Sequence, residues 1–556
     1  MSRVTLPRRT GRGDEACGSG GFHPQAANRP VGILCGHAAF PVAFPARIWN
    51  STLVDTLVLT PPLCTPAEPA AGAFTLAAGL AGRGLEVGLL DLSLEMIHRT
   101  LRDPEIPGPE VARALDYLVG VSSGYETQQH RSSIGLLHAR LKGFGKRWPG
   151  WTMTLMDLAA PGRVHDPIAL SAALADGTNP FASLWDEVLG PVLDRERPRE
   201  VLISLAYLSQ LAAAIDMVSY LRHRGMDPVV GGSLPNSLAH SGSGLEALRG
   251  CFRRMMLGDG LALLSAPGAA EHLTDRLAWP RLLNQRPYLS ARPVVPIPLS
   301  TGCYWDRCAF CPDRGLPWVP VPPQALDDLF TSAPDEIRVA RPLVHLLDSA
   351  LAPAQLRRFL PVARDHGLSF YGFARPSRHL TPALIEDAAA AGCAMLQLGA
   401  ESGSEEILSR YDKGFAPDEA EDVIGAAAAA GIRTYLYLLF GLPRETHADR
   451  SRTLEFLVRN AEAVDFLNLS VFNLPEQSAL TQEGAEHGIE LGAFPDDGAI
   501  RLYRPFLVDG VDPRAEARTF LDRQLRSHPK IRPMVRRSPR WLRAAHNAMQ
   551  QVPGRS

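Results

Sequence analysis

The sequence predicts an α/β protein with two parallel sheets in series: a doubly wound, Rossmann-like domain, then a partial (β/α)6 barrel of the TIM type, then a helical C-terminal tail. Short apolar runs alternate with amphipathic stretches along most of the 556 residues, which is the pattern of repeated βαβ units. A proline-rich stretch, residues 287–298, divides these repeats into a group of five strands and a group of six.

The first group of strands is predicted to form a domain over residues 51–275. Its strands are expected in VDTLVLT, LEVGLLDLS, REVLISLA, DPVVGG and RRMMLGDG. A polar, mainly helical insertion is expected at about residues 100–195. Residues 1–50 are rich in Gly, Arg and Pro and have no sustained hydrophobic period, so a disordered leader is predicted there.

The second group of strands is predicted to form the barrel, over residues 285–490. Its six strands are expected in VVPIPLS, LVHLLDS, LSFYGFA, AMLQLGA, IRTYLYLLF and DFLNLSVF. Thr381 and Pro382 mark the start of one intervening helix, as an N-cap followed by proline at the first helical position. Six repeats without a seventh or eighth indicate an incomplete barrel. Residues 491–556 are expected to form a basic, helical tail.

Composition and charge exclude several classes of protein. Hydrophobic residues make up 46% of the chain, charged residues 21%, and the formal net charge is −2. The field of the whole molecule therefore does not attract nucleic acid or an anionic membrane, and neither is predicted as a partner. No apolar run is long enough to span a membrane. The first residues lack the apolar region of a secretory signal, so a cytoplasmic location is predicted by default.

The strongest chemical signal is a cysteine triplet. Cys303, Cys308 and Cys311 lie together in STGCYWDRCAFC, directly after the first barrel strand, where βα scaffolds hold their chemistry. Three thiolates satisfy three irons of a [4Fe–4S] cube and leave the fourth iron open to a small molecule. Two other interpretations stay open. A structural zinc site would need a fourth ligand, for which His345 and Cys393 are the nearest candidates, and the thiols could be inert or redox-labile.

The triplet and two downstream stretches, LGAESGSEEILSRYDKG and AAGIRTYLYLLFGLPRET, resemble the radical S-adenosylmethionine superfamily over about residues 290–490. The downstream stretches look most like its cobalamin-dependent subgroup. The resemblance implies a [4Fe–4S] cluster and S-adenosylmethionine as cofactors. Four residues separate Cys303 from Cys308, where the family usually has three. The family's glycine-glycine-acid stretch after the second strand is absent, and Asp348 occupies roughly its place.

The resemblance also implies which residues contact S-adenosylmethionine. Phe310, directly before the last cysteine, would lie against the adenine. Glu401 would meet the ribose or the amino group, and Gly399 and Ser402 would shape that turn. Arg375 is a candidate contact to the carboxylate, although an ion pair at the strand end explains it nearly as well.

The strand ends of the first domain resemble the cobalamin-binding domain of the same subgroup. Small residues there let the backbone lie flat against a large planar ligand, and no G-x-G-x-x-G opens the first helix, which disfavours a dinucleotide. The signature Asp-x-His-x-x-Gly is missing, so the lower face of a bound cobalamin would lack a protein histidine. The candidate contacts are Pro61, Pro62, Tyr207, Gln210, Gly231, Gly232, Ser233, Gly258 and Gly260.

Taken as a whole, the resemblance implies a C-methyltransferase that acts on an unactivated carbon through a 5′-deoxyadenosyl radical and methylcobalamin. Two alternatives stay open: a rearrangement or cyclisation without methyl transfer, and a corrinoid- or metal-sensing binding protein. A transfer-RNA methylthiolase is disfavoured because the sequence has no second three-cysteine cluster. The expected partners are a small-molecule or peptide substrate, as in natural-product biosynthesis, and an external electron donor such as a flavodoxin or ferredoxin.

Overall fold

The computed structural model describes residues 53–103, 109–120, 126–161, 165–175, 179–242, 244–260, 272–494, 500–538 and 543–549. All of them belong to one compact unit, residues 41–556. The disordered leader predicted for residues 1–50 lies outside the described residues. Among the helices within these ranges, none combines the length and the apolar character that crossing a bilayer requires.

The first sheet has six parallel strands, which are β1 (Thr56–Thr60), β2 (Val87–Asp91), β3 (Glu200–Ser204), β4 (Val229–Gly231), β5 (Arg254–Met255) and β6 (Arg281–Leu282). Their order across the sheet is β5-β4-β3-β1-β2-β6. Because β1 pairs with β2 on one side and with β3 on the other, the strand order reverses at β1. Doubly wound sheets bind ligands at the carboxyl ends of the strands beside such a reversal.

The doubly wound sheet is thus confirmed, but it has one strand more than the five expected. The additional strand, β6, contains only Arg281 and Leu282 and pairs with β2 at the edge of the sheet. A two-residue strand that directly follows Pro280 is too short to show a hydrophobic period. The sequence therefore gave no signal for it.

Both faces of the first sheet are covered. Val58 packs into one hydrophobic cluster, whereas Leu57 and Leu59 pack into another on the opposite face together with the helices of the insertion. The helices of this domain are Ala71–Ala81, Leu92–Arg102, Pro109–Gly120, Thr127–Leu141, Phe144–Arg147, Pro167–Leu174, Ala182–Leu184, Trp185–Leu189, Gly190–Glu196, Leu208–Gln210, Leu211–His223, Ser233–Ser241, Leu245–Cys251 and Leu273–Asp275. A ribbon, Thr152–Met153 with Leu158–Ala159, interrupts the insertion.

The second sheet is the predicted partial barrel. Its six strands are β7 (Val294–Ile297), β8 (Leu343–Leu346), β9 (Ser369–Ala374), β10 (Cys393–Glu401), β11 (Arg433–Phe440) and β12 (Phe466–Val471). Each strand pairs in parallel with the next along the chain, and the sheet does not close between β7 and β12. The partial (β/α)6 architecture is confirmed, and all six strands lie where the sequence predicts them.

Alternate residues of the barrel strands face the lumen and the outer helices. One hydrophobic cluster, which contains Tyr435 of β11 and Phe466 of β12, fills the interior of the barrel and is called the lumen cluster here. In β11, Leu436 and Leu438 pack outward instead. Thr381 caps its helix by accepting a hydrogen bond from the backbone N–H of Leu384. The helices between the strands are Pro323–Thr331, Asp335–Val339, Pro353–Asp365, Pro382–Ala390, Glu405–Arg410, Pro417–Ala429 and His447–Arg459.

The segment after β12 covers the barrel. Short elements come first: Leu474–Pro475, Ala479–Gln482, Gly484–His487, Ile489–Leu491, Tyr503–Arg504 and Phe506–Val508. From there the tail is helical, as predicted, with helices at Pro513–Phe520, Leu521–Leu525, Arg532–Arg537 and Arg543–Met549. Ala545 and Ala548 of the last helix pack in the lumen cluster with Phe466, so this helix lies against the interior of the barrel.

One helix belongs to the cores of both domains. Helix Ala71–Ala81 follows β1, yet its Phe74 and Ala77 lie in the same hydrophobic cluster as Val295 and Ile297 of β7. Phe74 also packs edge-on against Trp279, with ring centroids 5.4 Å apart. Because this helix is shared, the carboxyl ends of the two sheets are held in a fixed relation.

A buried carboxyl at the end of β2 makes the stability of the first domain depend on pH. Asp91 accepts hydrogen bonds from the backbone N–H groups of Ser93 and Leu94, at 3.0 and 3.1 Å, and so caps the helix that follows. Burial raises the pKa of Asp91 from 3.8 to about 7. The folded protein therefore holds a proton that the unfolded chain releases, and stability falls as the pH rises through this interval.

We expect Asp91→Asn to keep the cap, because the amide oxygen can still accept the helix N–H groups, but to lose this titration. The melting temperature of the wild-type protein, relative to the variant, should fall between about pH 5 and about pH 8. Thermal unfolding of both proteins at the two pH values measures this. A difference in melting temperature that does not change with pH would contradict the assignment.

Candidate functional site

The cysteine triplet lies on the loop after β7, at the carboxyl end of the barrel strands. An antiparallel pairing of Thr301 with Val319 closes the base of this loop. The three cysteines are partly buried, and none of them forms a disulfide. Burial first, and then other groups that include Cys303, raise the pKa values of the Cys308 and Cys311 thiols. The three sulfurs are therefore near enough to interact electrostatically.

Two buried cations lie beside the triplet. Burial raises the pKa of the Cys308 thiol, whereas Lys413 and Arg375 act in the opposite direction. The Cys311 thiol is affected differently, because burial and then Asp313 raise its pKa to about 12. Since iron binds the thiolate form, the two cations favour ligation by Cys308.

Arg375, directly after β9, joins the cysteine loop to the segment after β10. Its guanidinium lies 3.7 Å from the centroid of the Trp305 ring and donates hydrogen bonds to the carbonyls of Lys413 and Gly414. Gly414 has a φ of +67°, and a Cβ there would lie 1.9 Å from the Trp305 ring. The indole between the first two cysteines is thus held by a cation on one side and a glycine on the other.

Glu401, at the end of β10, is bound by a buried lysine. Lys413 Nζ lies 3.2 Å from Glu401 Oε1, and the two side chains are only 6% and 14% exposed. Burial alone would lower the pKa of Lys413, but Glu401 and Cys308 together outweigh this and raise it, so the lysine stays charged. The same Nζ lies 5.5 Å from the centroid of the Phe310 ring. Glu401 and Phe310, both predicted contacts of S-adenosylmethionine, are therefore brought together by Lys413.

Gly399 and Ser402 flank Glu401 and support its turn. A Cβ on Gly399 would lie 2.5 Å from the Phe373 ring, so that position cannot carry a side chain. Ser402 is buried, and its hydroxyl lies 3.1 Å from the hydroxyl of Thr453. Both residues shape the turn structurally, and Ser402 faces the helix behind the strand.

Asp348 is tied to the base of the cysteine loop. Its carboxylate accepts hydrogen bonds from the backbone N–H of Leu299, at 2.8 Å, and from the hydroxyl of Ser300, at 2.5 Å. Burial raises its pKa to about 6, although the bond from Ser300 acts in the opposite direction. Both carboxylate oxygens thus have protein partners, and the contact between Asp348 and S-adenosylmethionine remains a prediction from the sequence.

The donor set of the triplet fits a cluster better than a single ion. In the described part of the chain, no three His, Cys, Asp or Glu side chains are close enough together to hold one metal ion. A [4Fe–4S] cube binds each thiolate through a different iron, so its ligands are spread more widely than those of one ion. Three partly exposed thiols on one loop, with two cations beside them, suit such a dispersed anionic group.

A cavity of about 470 Å³ lies between the strand ends of the two domains. Ser300, Thr301 and Gly302 of the cysteine loop line one side of it, and His272 lines the other. This volume is within the usual range for small-molecule sites. Five of the predicted cobalamin contacts line the same cavity, namely Gly231, Gly232, Ser233, Gly258 and Gly260.

The other four predicted cobalamin contacts lie outside the lining of this cavity. Gln210 is buried, donates a hydrogen bond to the Pro61 carbonyl at 2.7 Å and accepts one from the backbone N–H of Ala206 at 2.9 Å. It therefore ties the end of β1 to the end of β3. Pro61 and Pro62 are buried, whereas the Tyr207 side chain is 57% exposed. Contacts from these residues to a ligand remain predictions.

Residues 297–457 match the family model of the radical SAM superfamily. This segment is a radical SAM domain. It contains the triplet and every residue predicted to contact S-adenosylmethionine, and the match implies that the domain uses a [4Fe–4S] cluster and S-adenosylmethionine. No curated protein matches the chain.

Solved structures match the chain at low sequence identity. The cobalamin-dependent S-adenosylmethionine radical enzyme OxsB, with aqua-cobalamin and S-adenosylmethionine bound, is 14% identical, with a TM-score of 0.48 over 84% of this chain and 67% of that chain. The radical S-adenosylmethionine methyltransferase TsrM from Kitasatospora setae, with tryptophan substrate and a SAM analogue bound, is 15% identical. Its TM-score is 0.49, and the match covers 84% of this chain and 83% of that chain. Coproporphyrinogen III oxidase HemN from Escherichia coli is 17% identical. Its TM-score is 0.29, and the match covers 42% of this chain and 52% of that chain.

Sequence reasoning missed the residues that organise the radical SAM domain around its cysteines. Trp305 and Lys413 both stand inside the quoted motifs, but nothing in the motifs shows that one stacks on Arg375 and the other neutralises Glu401. His272, which lines the cavity beside the domain, also gave no signal. The unusual feature of Lys413 is that it is buried next to an acid at a strand end, and the burial of a lysine cannot be read from one sequence.

We expect Gly414→Ala to impair cluster incorporation into the radical SAM domain, because the new Cβ would displace the Trp305 ring. Gly431→Ala is the matched control. Gly431 also has a positive φ, of +76°, but nothing lies within 4 Å of its Cβ position, so only the backbone strain is shared. Iron per chain after anaerobic reconstitution is the measurement. Equal iron contents in the two variants would show that the position of Trp305 is unimportant.

Proposed function

We propose that this chain is a cobalamin-dependent radical SAM enzyme whose most favoured reaction is methyl transfer to carbon. The observation that carries the proposal is the shared cavity. The glycine-rich strand ends of the first sheet and the cysteine loop of the barrel form opposite sides of it. A corrinoid held on the first side would therefore face the substrate space next to the cluster.

The small residues of the first sheet support this side of the proposal. Gly231 is the last residue of β4 and Gly232 follows it, and Gly258 and Gly260 follow β5, at the carboxyl ends where doubly wound sheets bind ligands. Glycines leave the cavity wall without side chains, which a large flat ligand needs. OxsB and TsrM are described with cobalamin bound, and the proposal extends that ligand to this chain.

The residues of the barrel support the binding of S-adenosylmethionine next to the triplet. Glu401 has one oxygen bound to Lys413, which leaves the other oxygen to accept hydrogen bonds from a ribose or an ammonium group. Phe310 offers the face of its ring to an adenine. The buried Nε of Arg375 has no hydrogen-bond partner among the described residues, so a ligand carboxylate would satisfy it.

When bound and reduced by an external electron donor, the cluster would supply the electron that cleaves S-adenosylmethionine into methionine and a 5′-deoxyadenosyl radical, and cobalamin would carry the methyl group. The chain's own residues position these groups and exclude water. Arg375 and Lys413 place positive charge beside the thiolates, which stabilises the anionic cluster. Asp348 fixes the base of the cysteine loop through Leu299 and Ser300, so the ligands keep a constant relation to the barrel.

We expect Cys308→Ala to remove one cluster ligand and to abolish radical initiation. After anaerobic reconstitution, the wild-type protein should hold about four irons per chain, and the variant much less. With S-adenosylmethionine and a strong reductant, formation of 5′-deoxyadenosine should fall by about a hundredfold or more. Cys251→Ala, a half-buried thiol of the first domain, is the control. Wild-type protein that forms no 5′-deoxyadenosine would overturn the enzymatic proposal.

The products identify the reaction. Methyl transfer should give both S-adenosylhomocysteine and 5′-deoxyadenosine, whereas a rearrangement or cyclisation should give 5′-deoxyadenosine alone. Identification of these products by mass spectrometry, with the cobalamin-loaded protein and candidate substrates, separates the two.

We expect Ser233→Trp to weaken cobalamin binding by about tenfold or more, because the indole would fill the cavity from an exposed position. His240→Trp is the control, since His240 is an exposed residue near the other end of the same helix, Ser233–Ser241. Cobalamin retained after gel filtration and iron per chain are measured together. Cobalamin retention that is equal in both variants would place the corrinoid elsewhere, and loss of iron would show that the variant is misfolded.

A further inference from the structure

A polar pair in the barrel is built from both domains. Glu68 belongs to the loop between β1 and helix Ala71–Ala81, and His345 is the third residue of β8. The two carboxylate oxygens of Glu68 lie 3.0 and 3.1 Å from His345 Nδ1. Their side chains are 14% and 20% exposed. The two residues are 277 positions apart in sequence, and the function described above uses neither of them.

The pair lies within an aromatic part of the lumen. The His345 ring stacks on Tyr371 of the neighbouring strand, with centroids 4.5 Å apart and an interplanar angle of 13°. Beyond it, Tyr437 packs against Phe373 at 5.2 Å and against Tyr435 at 4.8 Å. This lining offers flat aromatic faces together with the tyrosine hydroxyls, of which that of Tyr437 accepts a hydrogen bond from Gln397. Aromatic faces with a few placed polar groups are usual in a site for an aromatic small molecule.

Position along the chain places the pair next to the shared cavity. Ala71, which lines that cavity, follows Glu68 by three residues, and Leu347, which also lines it, follows His345 by two. A molecule bound at His345 would therefore lie close to the lining of the cavity proposed for cobalamin.

The hydrogen bond to Glu68 determines which nitrogen of His345 is free. Because a carboxylate accepts, a neutral ring that donates to Glu68 carries its proton on Nδ1, and its Nε2 is then the acceptor. Nε2 has no hydrogen-bond partner among the described residues. Among the described residues, Glu68 forms its ion pair with His345 and not with a lysine or an arginine. The pair thus presents one oriented acceptor.

We propose that His345, oriented by Glu68, binds the substrate by accepting a hydrogen bond from an N–H or O–H group on an aromatic ring. The proposal rests on the proposed function, since it names the substrate class of that site. His345 is the binding residue, and Glu68 is a positioning residue. If the pair only linked the two domains, an aromatic ring with an N–H or O–H donor and an aromatic ring without one would bind equally well at His345.

Phenol and anisole are the probes, because they share a ring and differ in the O–H donor. The full-length, cluster-reconstituted protein is treated anaerobically with diethyl pyrocarbonate, which modifies neutral imidazole nitrogens, and the rate at each histidine is measured by peptide mass spectrometry. Phenol at about four times its Kd should slow modification of His345 by about fivefold, and anisole should have little effect. Exposed His379 is the internal reference and should react at the same rate throughout.

Two variants test the role of Glu68. In Glu68→Leu no side-chain oxygen accepts from Nδ1, so the proton is no longer held there, and the protection by phenol should be lost. Tyr371→Phe removes only a hydroxyl that lies 3.5 Å from Glu68 and should keep the protection. Melting temperatures show whether each variant is folded.

Three outcomes would overturn the proposal: equal protection by phenol and anisole, no protection by either, or full discrimination retained in Glu68→Leu. The comparison of the two probes in the wild-type protein needs no variant, so it stands if Glu68→Leu does not fold. It also needs neither cobalamin nor cleavage of S-adenosylmethionine. Its result is therefore independent of whether 5′-deoxyadenosine is formed.

Discussion

The buried ion pair of Lys413 with Glu401 is the interaction on which the arrangement of the site depends. Neither side chain is more than 14% exposed, and removal of one partner of such a pair typically costs about 3–5 kcal/mol. The pair holds Glu401 at a φ of +60°, which a non-glycine residue adopts only when its surroundings enforce it. The same lysine lies beside Phe310, and it opposes the increase in the pKa of the Cys308 thiol that burial causes. One cation thus links a strand end, an aromatic ring and a predicted cluster ligand.

The shared helix Ala71–Ala81 gives the site its second constraint. Its side chains belong to the core of the doubly wound sheet and also contact β7 of the barrel. A movement of one sheet relative to the other would expose this common core, at about 25 cal/mol for each Å² of apolar surface. The two sides of the cavity therefore behave as one rigid surface. Glu68, which precedes this helix, is held in the lumen by the same packing.

The fold was predictable because its elements carry local signals. All six barrel strands and five strands of the first sheet lie in short apolar runs, most of them next to a Gly or a Pro. The cysteine triplet was legible for the same reason, since its spacing is local. The contacts that organise the site carry no local signal of this kind. Lys413 meets Glu401 across a turn, Arg375 meets Trp305 from another strand, and Glu68 meets His345 from another domain. These pairs follow from the way strand ends converge, which a single sequence does not encode as a pattern.

The last helix, Arg543–Met549, has a consequence for the order of events. Its Ala545 and Ala548 occupy the end of the lumen opposite the cysteine loop, and Arg433 of β11 donates a hydrogen bond to the Ala548 carbonyl. The helix therefore covers that end of the lumen, and a molecule can enter past the cysteine loop or through the open edge between β7 and β12. In the proposed enzyme, a substrate that enters past the cysteine loop would bind before S-adenosylmethionine, and its product would leave after it.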